Sequence, residues 1–162
     1  MDEFAGRYDN RVDTKGRVSV PASFRAVLTK DGAEEIFCYP HPERRCLEAG
    51  GNRLVRKIHQ ILEEFPVLSQ EREDLATFYF GESETLKIDA DGRTILPKRL
   101  KEFSGIGDTA VFVGLGDKFQ IWQADEYDAF RSEARDRARA LRQQLGAGGR
   151  STSGQTEEAR ER

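Results

Sequence analysis

Apolar residues along this chain recur at two different periods, and the period changes after short intervals. Val12 and Val18 alternate with polar residues around a turn, as is typical of two short strands. Phe24, Val27 and Leu28 follow at helical spacing after a proline, which is well placed in the first turn of a helix. The pattern therefore predicts a tight hairpin followed by a short amphipathic helix.

The same pattern occurs again later in the chain without a gap. Residues 12–28 read VDTKGRVSVPASFRAVL, and residues 88–104 read IDADGRTILPKRLKEFS. The identical positions are Asp13 and Asp89, Gly16 and Gly92, Arg17 and Arg93, and Pro21 and Pro97. An internal repeat of this length predicts two equivalent supersecondary units, and two copies suit a pseudo-twofold domain.

Each repeat places an Asp-x-x-Gly turn between its two predicted strands. The spacing fits a type I turn, with the aspartate in the first position and the glycine in the fourth. The Asp13 and Asp89 side chains can accept hydrogen bonds from the following amides, and Gly16 and Gly92 can adopt a left-handed conformation. We interpret these four residues as structuring the turns.

Further strands and helices are predicted after each short helix. Second strand pairs are expected at 35–39 with 46–48 and at 110–113 with 119–122. Apolar residues at helical spacing predict a closing helix in each copy, with Asp125 as the cap of the second. These apolar residues are Leu54, Ile58, Ile61, Leu62 and Phe65 in the first copy, and Tyr127, Phe130, Ala134, Ala138, Leu141 and Leu145 in the second. The predicted organisation is a first repeat at 4–65, a linker helix at 66–78 beginning near Ser69, a second repeat at 79–145 and a disordered polar tail at 146–162.

Composition narrows the possible functions. We expect a soluble cytoplasmic protein, because no signal peptide and no apolar run of about 20 residues is present. Cys38 and Cys46 flank His41, but C-x2-H-x4-C is not a usual zinc spacing, and reduced cysteines without a metal or cofactor are expected. The chain has no P-loop, G-x-G-x-x-G, G-x-S-x-G or H-E-x-x-H motif, which argues against an enzyme with a small-molecule substrate. The net charge of −3 argues mildly against nucleic acid unless basic residues cluster.

Basic residues do gather around the two turns. Arg17 and Arg93 stand at the turn exits, where a guanidinium can bind a guanine edge or a phosphate. Arg7, Arg11 and Lys15 surround the first turn and complete a candidate DNA-binding surface. The second turn has fewer basic neighbours and carries Asp91 in place of the turn lysine, so the first copy is predicted to contribute more to DNA recognition.

Two structural alternatives stay open for these charged residues. An aspartate and an arginine four residues apart can pair and lock the turn, and this explanation is favoured for Asp13 and Asp89 because a carboxylate repels phosphate. For the turn arginines, local evidence does not separate a structural role from a functional one. In the last helix, residues 131–145 hold five arginines against Glu133 and Asp136, which suits either a solvated face or auxiliary phosphate contact.

The paired D-x-x-G-R motifs, each followed by a strand, a proline and a short amphipathic helix, resemble those of the MraZ transcriptional regulators. The resemblance extends from about Phe4 to Phe130 and is closest over Val12–Leu28. It implies an α+β protein with a pseudo-twofold AbrB-like swapped-hairpin β-barrel. It also implies ring-like homo-oligomers, located with the nucleoid, that bind G-rich direct repeats in double-stranded promoter DNA of the division and cell-wall gene cluster. The polar tail and the Tyr39–Gly51 loop depart from the family pattern.

Two other functions remain as alternatives. The same fold could serve as a protein–protein interaction module of the antitoxin type, or as a purely structural ring. DNA binding should weaken steeply as salt rises, whereas an apolar protein interface should not. Salt dependence therefore separates a DNA-binding regulator from a protein–protein interaction module.

Overall fold

The computed structural model describes residues 2–161, with side chains described for residues 2–147. The chain divides into two compact units, Met1–Glu126 and Tyr127–Arg162. Strands and helices alternate in the first unit, which confirms the predicted α+β class. The strands are β1 (Arg7–Arg11), β2 (Arg17–Ser19), β3 (Glu35–Pro40), β4 (Leu47–Gly50), β5 (Glu84–Lys87), β6 (Arg93–Ile95), β7 (Thr109–Gly114) and β8 (Phe119–Gln123). The helices are α1 (Ala22–Lys30), α2 (Asn52–Glu63), α3 (Gln70–Ala76), α4 (Lys98–Ser104) and α5 (Ala124–Glu161), with a π-helical turn at Thr77–Gly81.

Strands from the two sequence repeats interleave in one antiparallel sheet. Its order is β1-β7-β8-β4-β3-β5, and a separate two-stranded ribbon pairs β2 with β6. The predicted strand pairs β3–β4 and β7–β8 are present. Strands β1 and β5 form the two edges of the sheet, so the predicted closed barrel is not found among the described residues.

The predicted tight hairpin within each repeat is wrong beyond the turn itself. In the first repeat, Val12 and Val18 form a single antiparallel bridge. The strands then separate, because β1 pairs with β7 and β2 pairs with β6. A three-residue strand buries little apolar surface in an isolated hairpin, and pairing between repeats lets Val18 and Val20 join a shared core.

Aromatic side chains at the centre of the first unit pack α1 against the sheet. Phe24 contacts Phe4 and Phe119, with ring centroids 5.4 and 5.1 Å away. Phe24, Val27 and Leu28 are all buried, as predicted. In α4, Leu100 is buried at the position that matches Phe24 in the repeat, whereas Phe103, which matches Val27, is exposed. The buried face of this shorter helix continues to Ser104, whose hydroxyl donates a 2.8 Å hydrogen bond to the Leu100 carbonyl.

A second apolar cluster lies on the opposite face of the sheet. Leu54, Ile58 and Leu62 of α2 pack there with Tyr39, together with aromatic residues of the π-helical turn. Ile61, which was predicted on the same apolar face, lies at its edge and is 38% exposed. The Ser69 hydroxyl accepts a 3.2 Å bond from the Arg72 amide, which confirms a helix start at Ser69.

Helix α5 forms most of the second unit. The Gln123 side chain, rather than the predicted Asp125, caps its start by accepting a 2.7 Å bond from the Glu126 amide. Leu141 and Leu145, two of the apolar residues from which this helix was predicted, are exposed. The described backbone of α5 extends to Glu161. The side chains of residues 148–162 lie outside the described residues. Disorder of the polar tail at 146–162 therefore stays a prediction. Within residues 2–161, no helix has the length and apolar character needed to cross a membrane.

Candidate nucleic-acid interface

The two Asp-x-x-Gly turns have the same backbone. In the first, the Gly16 amide donates to the Asp13 carbonyl at 3.0 Å, and in the second Gly92 donates to Asp89 at 3.0 Å. Each aspartate Oδ1 also accepts 2.9 Å bonds from the amides two and four residues later. The aspartates and glycines therefore have the predicted turn geometry in both copies.

The ribbon of β2 and β6 brings the two predicted arginines together. Arg17 lies opposite Ile95, and Ser19 lies opposite Arg93. Arg17 and Arg93 are therefore diagonal neighbours on one face of the ribbon, about 7–8 Å apart by standard sheet geometry. Their side chains are 37% and 36% exposed, respectively. The fold thus presents both guanidinium groups on one accessible surface.

Each turn is held against the opposite repeat through its glycine. The Leu96 amide donates to the Gly16 carbonyl, and the Val20 amide donates to the Gly92 carbonyl, both at 2.9 Å. Gly16 and Gly92 have φ values of 82° and 78°, a region that L side chains rarely adopt. A Cβ at Gly16 would also lie 3.1 Å from the Leu96 carbonyl oxygen. Glycine at these positions therefore permits both the turn and its contact with the neighbouring strand.

The two arginines differ in how they meet their aspartates. Arg17 Nε donates to Asp13 Oδ2 at 2.6 Å, a short charge-assisted hydrogen bond. Arg93 Nε lies 3.4 Å from Asp89 Oδ2 without hydrogen-bond geometry and is buried with no hydrogen-bond partner. The Arg93 guanidinium contacts Asp91 instead, with Nη2 3.3 Å from Oδ2. The first turn therefore holds its arginine firmly, and the second divides its arginine between two carboxylates.

Charge separates the two turns further. The Arg17 backbone amide, helped by the Arg17 side chain, lowers the pKa of Asp13 to about 2. The Arg93 amide likewise lowers the pKa of Asp89 below its ordinary value. Lys15 makes the first turn net basic, whereas Asp91 makes the second net acidic. A phosphate or guanine edge therefore meets a more favourable field at the first turn.

The other predicted DNA-binding residues lie at different distances from the turns. Lys15 is exposed within the first turn, and Arg11 lines a shallow depression beside it with Asp13. Arg7 is four residues further back on β1, about 13 Å along the strand, and its Nε pairs with Asp9 at 2.8 Å. The structure therefore groups Arg11 and Lys15 with the first turn and leaves Arg7 at its periphery.

Basic residues of the two short helices, which the sequence did not single out, also border the turns. The Arg25 guanidinium of α1 lies over Gly92 of the second turn, and Lys101 of α4 lines the surface beside Thr14 and Gly16 of the first. Each short helix thus supplies a cation to the other repeat's turn. The repeat alignment matches Arg25 with Lys101, and this shared basic character is the signal that could have identified them.

Other reactive residues do not form a comparable site. Cys38 and Cys46 are free and buried, and burial raises the pKa of the Cys46 thiol to about 12. No group of three metal-ligating side chains occurs in the described part of the chain. Glu48 is buried; burial alone would raise its pKa, but hydrogen bonds from Lys118 and Tyr39 hold the pKa below its usual value. This carboxylate is a paired member of a buried polar network.

Comparison with known proteins identifies the family of this chain. The family model described as "MraZ protein, putative antitoxin-like" matches residues 79–145. A protein of Xanthobacter autotrophicus named Transcriptional regulator MraZ is 48% identical over 147 residues, covering 91% of this chain and 94% of the relative. Proteins of the same name from Azorhizobium caulinodans and Rickettsia akari are 43% and 42% identical, covering 91% and 79% of this chain and 94% and 86% of the relatives. With such identity over most of both chains, the protein belongs to the MraZ family.

Proposed function

We propose that this protein is a transcriptional regulator that binds duplex DNA through the arginines of its two turns. The observation that carries the proposal is the β2–β6 ribbon, which holds Arg17 and Arg93 as diagonal neighbours on one exposed face. The relatives named as transcriptional regulators support the same assignment. In this role the protein acts in the cytoplasm at the nucleoid and carries out no catalysis.

The turn geometry suits recognition of guanine. In Arg17 the Nε–H binds Asp13, so the two Nη groups remain available to a base edge or a phosphate. An arginine fork matches the O6 and N7 acceptors of guanine in the major groove. Asp13 then orients the guanidinium without contacting DNA, which resolves the apparent conflict of a carboxylate at a DNA surface.

We further propose that a ring-like homo-oligomer binds G-rich direct repeats upstream of the division and cell-wall genes. One subunit offers few base contacts, and its net charge is negative. Several copies on tandem repeats gain affinity because the second and later contacts are effectively intramolecular. Duplexes with one, two or three repeats test this idea directly, since affinity should rise steeply with repeat number. Equal affinity for all three duplexes contradicts it.

The main test measures fluorescence anisotropy on the duplex upstream of the protein's own gene. The double variant Arg17→Ala/Arg93→Ala should lose about a hundredfold in affinity, because a good bidentate contact contributes about 1–3 kcal/mol. Arg56→Ala is the matched control, since Arg56 lies on α2 outside the two turns and its exposed side chain pairs with Asp31. Unchanged binding by the double variant, with the control also unchanged, rejects the proposal.

The antitoxin wording of the family model keeps a protein interaction module as the second candidate. A salt titration separates the two functions with the same protein. DNA binding through phosphates loses affinity linearly on logarithmic axes as salt rises. A protein partner captured with an affinity that is insensitive to salt, together with no shift of the duplex, favours the interaction module.

A further inference from the structure

The second unit carries a strongly basic surface that the turns do not explain. Arg131, Arg135, Arg139 and Arg142 of α5 fall within a sector of about 80° when residues are placed 100° apart around the helix axis. The stripe runs for about 16 Å along the helix at 1.5 Å per residue. We refer to these four residues as the arginine stripe.

The arginine stripe is exposed and not neutralised. All four side chains are exposed, and none forms an ion pair with a carboxylate among the described residues. The neighbouring Arg137 differs, because it pairs with Glu133 at 3.6 Å and lies 5.7 Å from the centre of the Phe130 ring. In the first unit, arginines such as Arg53 and Arg99 pair with nearby carboxylates. The stripe therefore differs from these paired arginines in having four exposed cations on one helix face.

Spacing makes the arginine stripe unfavourable for the helix alone. Arg131 with Arg135, and Arg135 with Arg139, are like charges four residues apart, an arrangement that destabilises a helix. Asp128 lies in this sector one turn before Arg131, but from Arg131 onwards the acidic residues Glu133 and Asp136 lie on other faces of α5 and leave the sector without a carboxylate. An anionic ligand would remove this repulsion.

The chemistry of the stripe favours a nucleic acid backbone over a lipid surface. Duplex DNA presents about one charge per 1.7 Å of axis, so a 16 Å row of guanidinium forks faces several phosphates at once. A membrane-bound helix needs a broad bulky apolar face. Beside the stripe, α5 offers alanines and only scattered large residues such as Leu141 and Leu145.

We propose that the arginine stripe is a second DNA-binding surface that contacts phosphates without recognising the base sequence. It adds to the proposed function of the turns, but it depends only on α5. The turns would supply base recognition, and α5 would supply affinity for any duplex. This division is useful in a protein whose first unit holds more acidic than basic residues.

The test compares full-length proteins on a duplex of unrelated sequence, of about 30 base pairs, in a salt series. Changing Arg131, Arg135, Arg139 and Arg142 to glutamine keeps good helix formers and should weaken binding about tenfold or more. The slope of log affinity against log salt should fall by about two to four, near 0.9 per lost phosphate contact. A charge-matched control changes Arg44, Arg56, Arg72 and Arg137 to glutamine and should keep the wild-type slope.

Three results decide the matter. Equal losses in the stripe variant and the charge-matched control overturn the proposal, because net charge alone then explains binding. Stripe-dependent binding to vesicles containing phosphatidylserine, without binding to the duplex, also overturns it and assigns a membrane partner. In the third result, Arg17→Ala/Arg93→Ala leaves binding to the duplex upstream of the protein's own gene intact, while the stripe variant loses affinity for the unrelated duplex. This result rejects DNA recognition by the turns and supports phosphate binding by the arginine stripe. Circular dichroism confirms that each variant keeps its helix content.

Discussion

The first and second turns share one backbone but present different chemistry. Both place an aspartate that accepts two amide bonds and a glycine with a left-handed conformation. At the position two residues after the aspartate, the first turn has Lys15 and the second has Asp91. Arg17 is consequently held by one carboxylate, whereas Arg93 lies between two.

This difference shows which parts of a duplicated motif are constrained by folding. The aspartate and glycine support the backbone hydrogen bonds of the turn, so replacing either should weaken the turn in both copies. The residue at the tip makes no backbone contribution that depends on its side chain, and it is free to differ. One charge reversal there changes the field around the arginine while the fold stays the same.

The largest effect should come from the turn arginines taken singly. On a duplex with one repeat, Arg17→Ala should reduce affinity about ten- to a hundredfold, and Arg93→Ala no more than about threefold, because Asp91 competes with DNA for Arg93. Fluorescence anisotropy at fixed salt measures both. Equal losses would show that the two turns contribute alike despite their charges.

The second-largest effect should come from exchanging the charges two residues after each turn aspartate, at Lys15 and Asp91. Asp91→Lys should strengthen duplex binding several-fold and increase the salt slope by about one, because it frees Arg93 and adds a cation near phosphate. Lys15→Asp should have the opposite effect. Both proteins should unfold at the wild-type temperature. The inferred difference between the two turns is wrong if neither exchange alters the salt dependence of duplex binding.

Alanine at either turn glycine should destabilise the fold. Gly16→Ala and Gly92→Ala should each lower the free energy of unfolding by about 1–2 kcal/mol, because an L residue is disfavoured at these φ values. Gly16→Ala should cost at least as much, since its Cβ meets the Leu96 backbone carbonyl, whereas the Cβ at Gly92 meets the flexible end of Arg25. Urea unfolding measures the difference. Asparagine, which tolerates this conformation better, should restore part of the loss.

The smallest effect should be on the stability of the fold at low pH. The folded pKa of Asp13 is about 2, below its ordinary value of 3.8, so its stabilisation is complete above about pH 4 and is lost as the pH falls towards 2. Asp13→Asn should remove this part of the acid sensitivity, and Asp89→Asn provides the matched comparison. Carboxyl carbon chemical shifts follow each titration. An Asp13 that titrates near 3.8 would contradict the short contact with Arg17.

Local features were predictable because they depend on neighbours in the chain. The two turns follow from Asp-x-x-Gly spacing, the start of α3 from Ser69, and the buried face of α1 from Phe24, Val27 and Leu28. The exposure of Ile61 and Phe103 was not predictable in this way, because helical spacing alone does not define which side of a short helix meets the core.

Partners from the other repeat were decided only by the tertiary structure. The pairing of β2 with β6 makes neighbours of Arg17 and Arg93, which are far apart in the chain, and it brings Arg25 and Lys101 beside the opposite turns. By itself the sequence determined the repeat, the turns and the residues able to bind an anion. Their assembly on one surface required tertiary folding, because strands this short bury enough apolar area only when they pair across repeats.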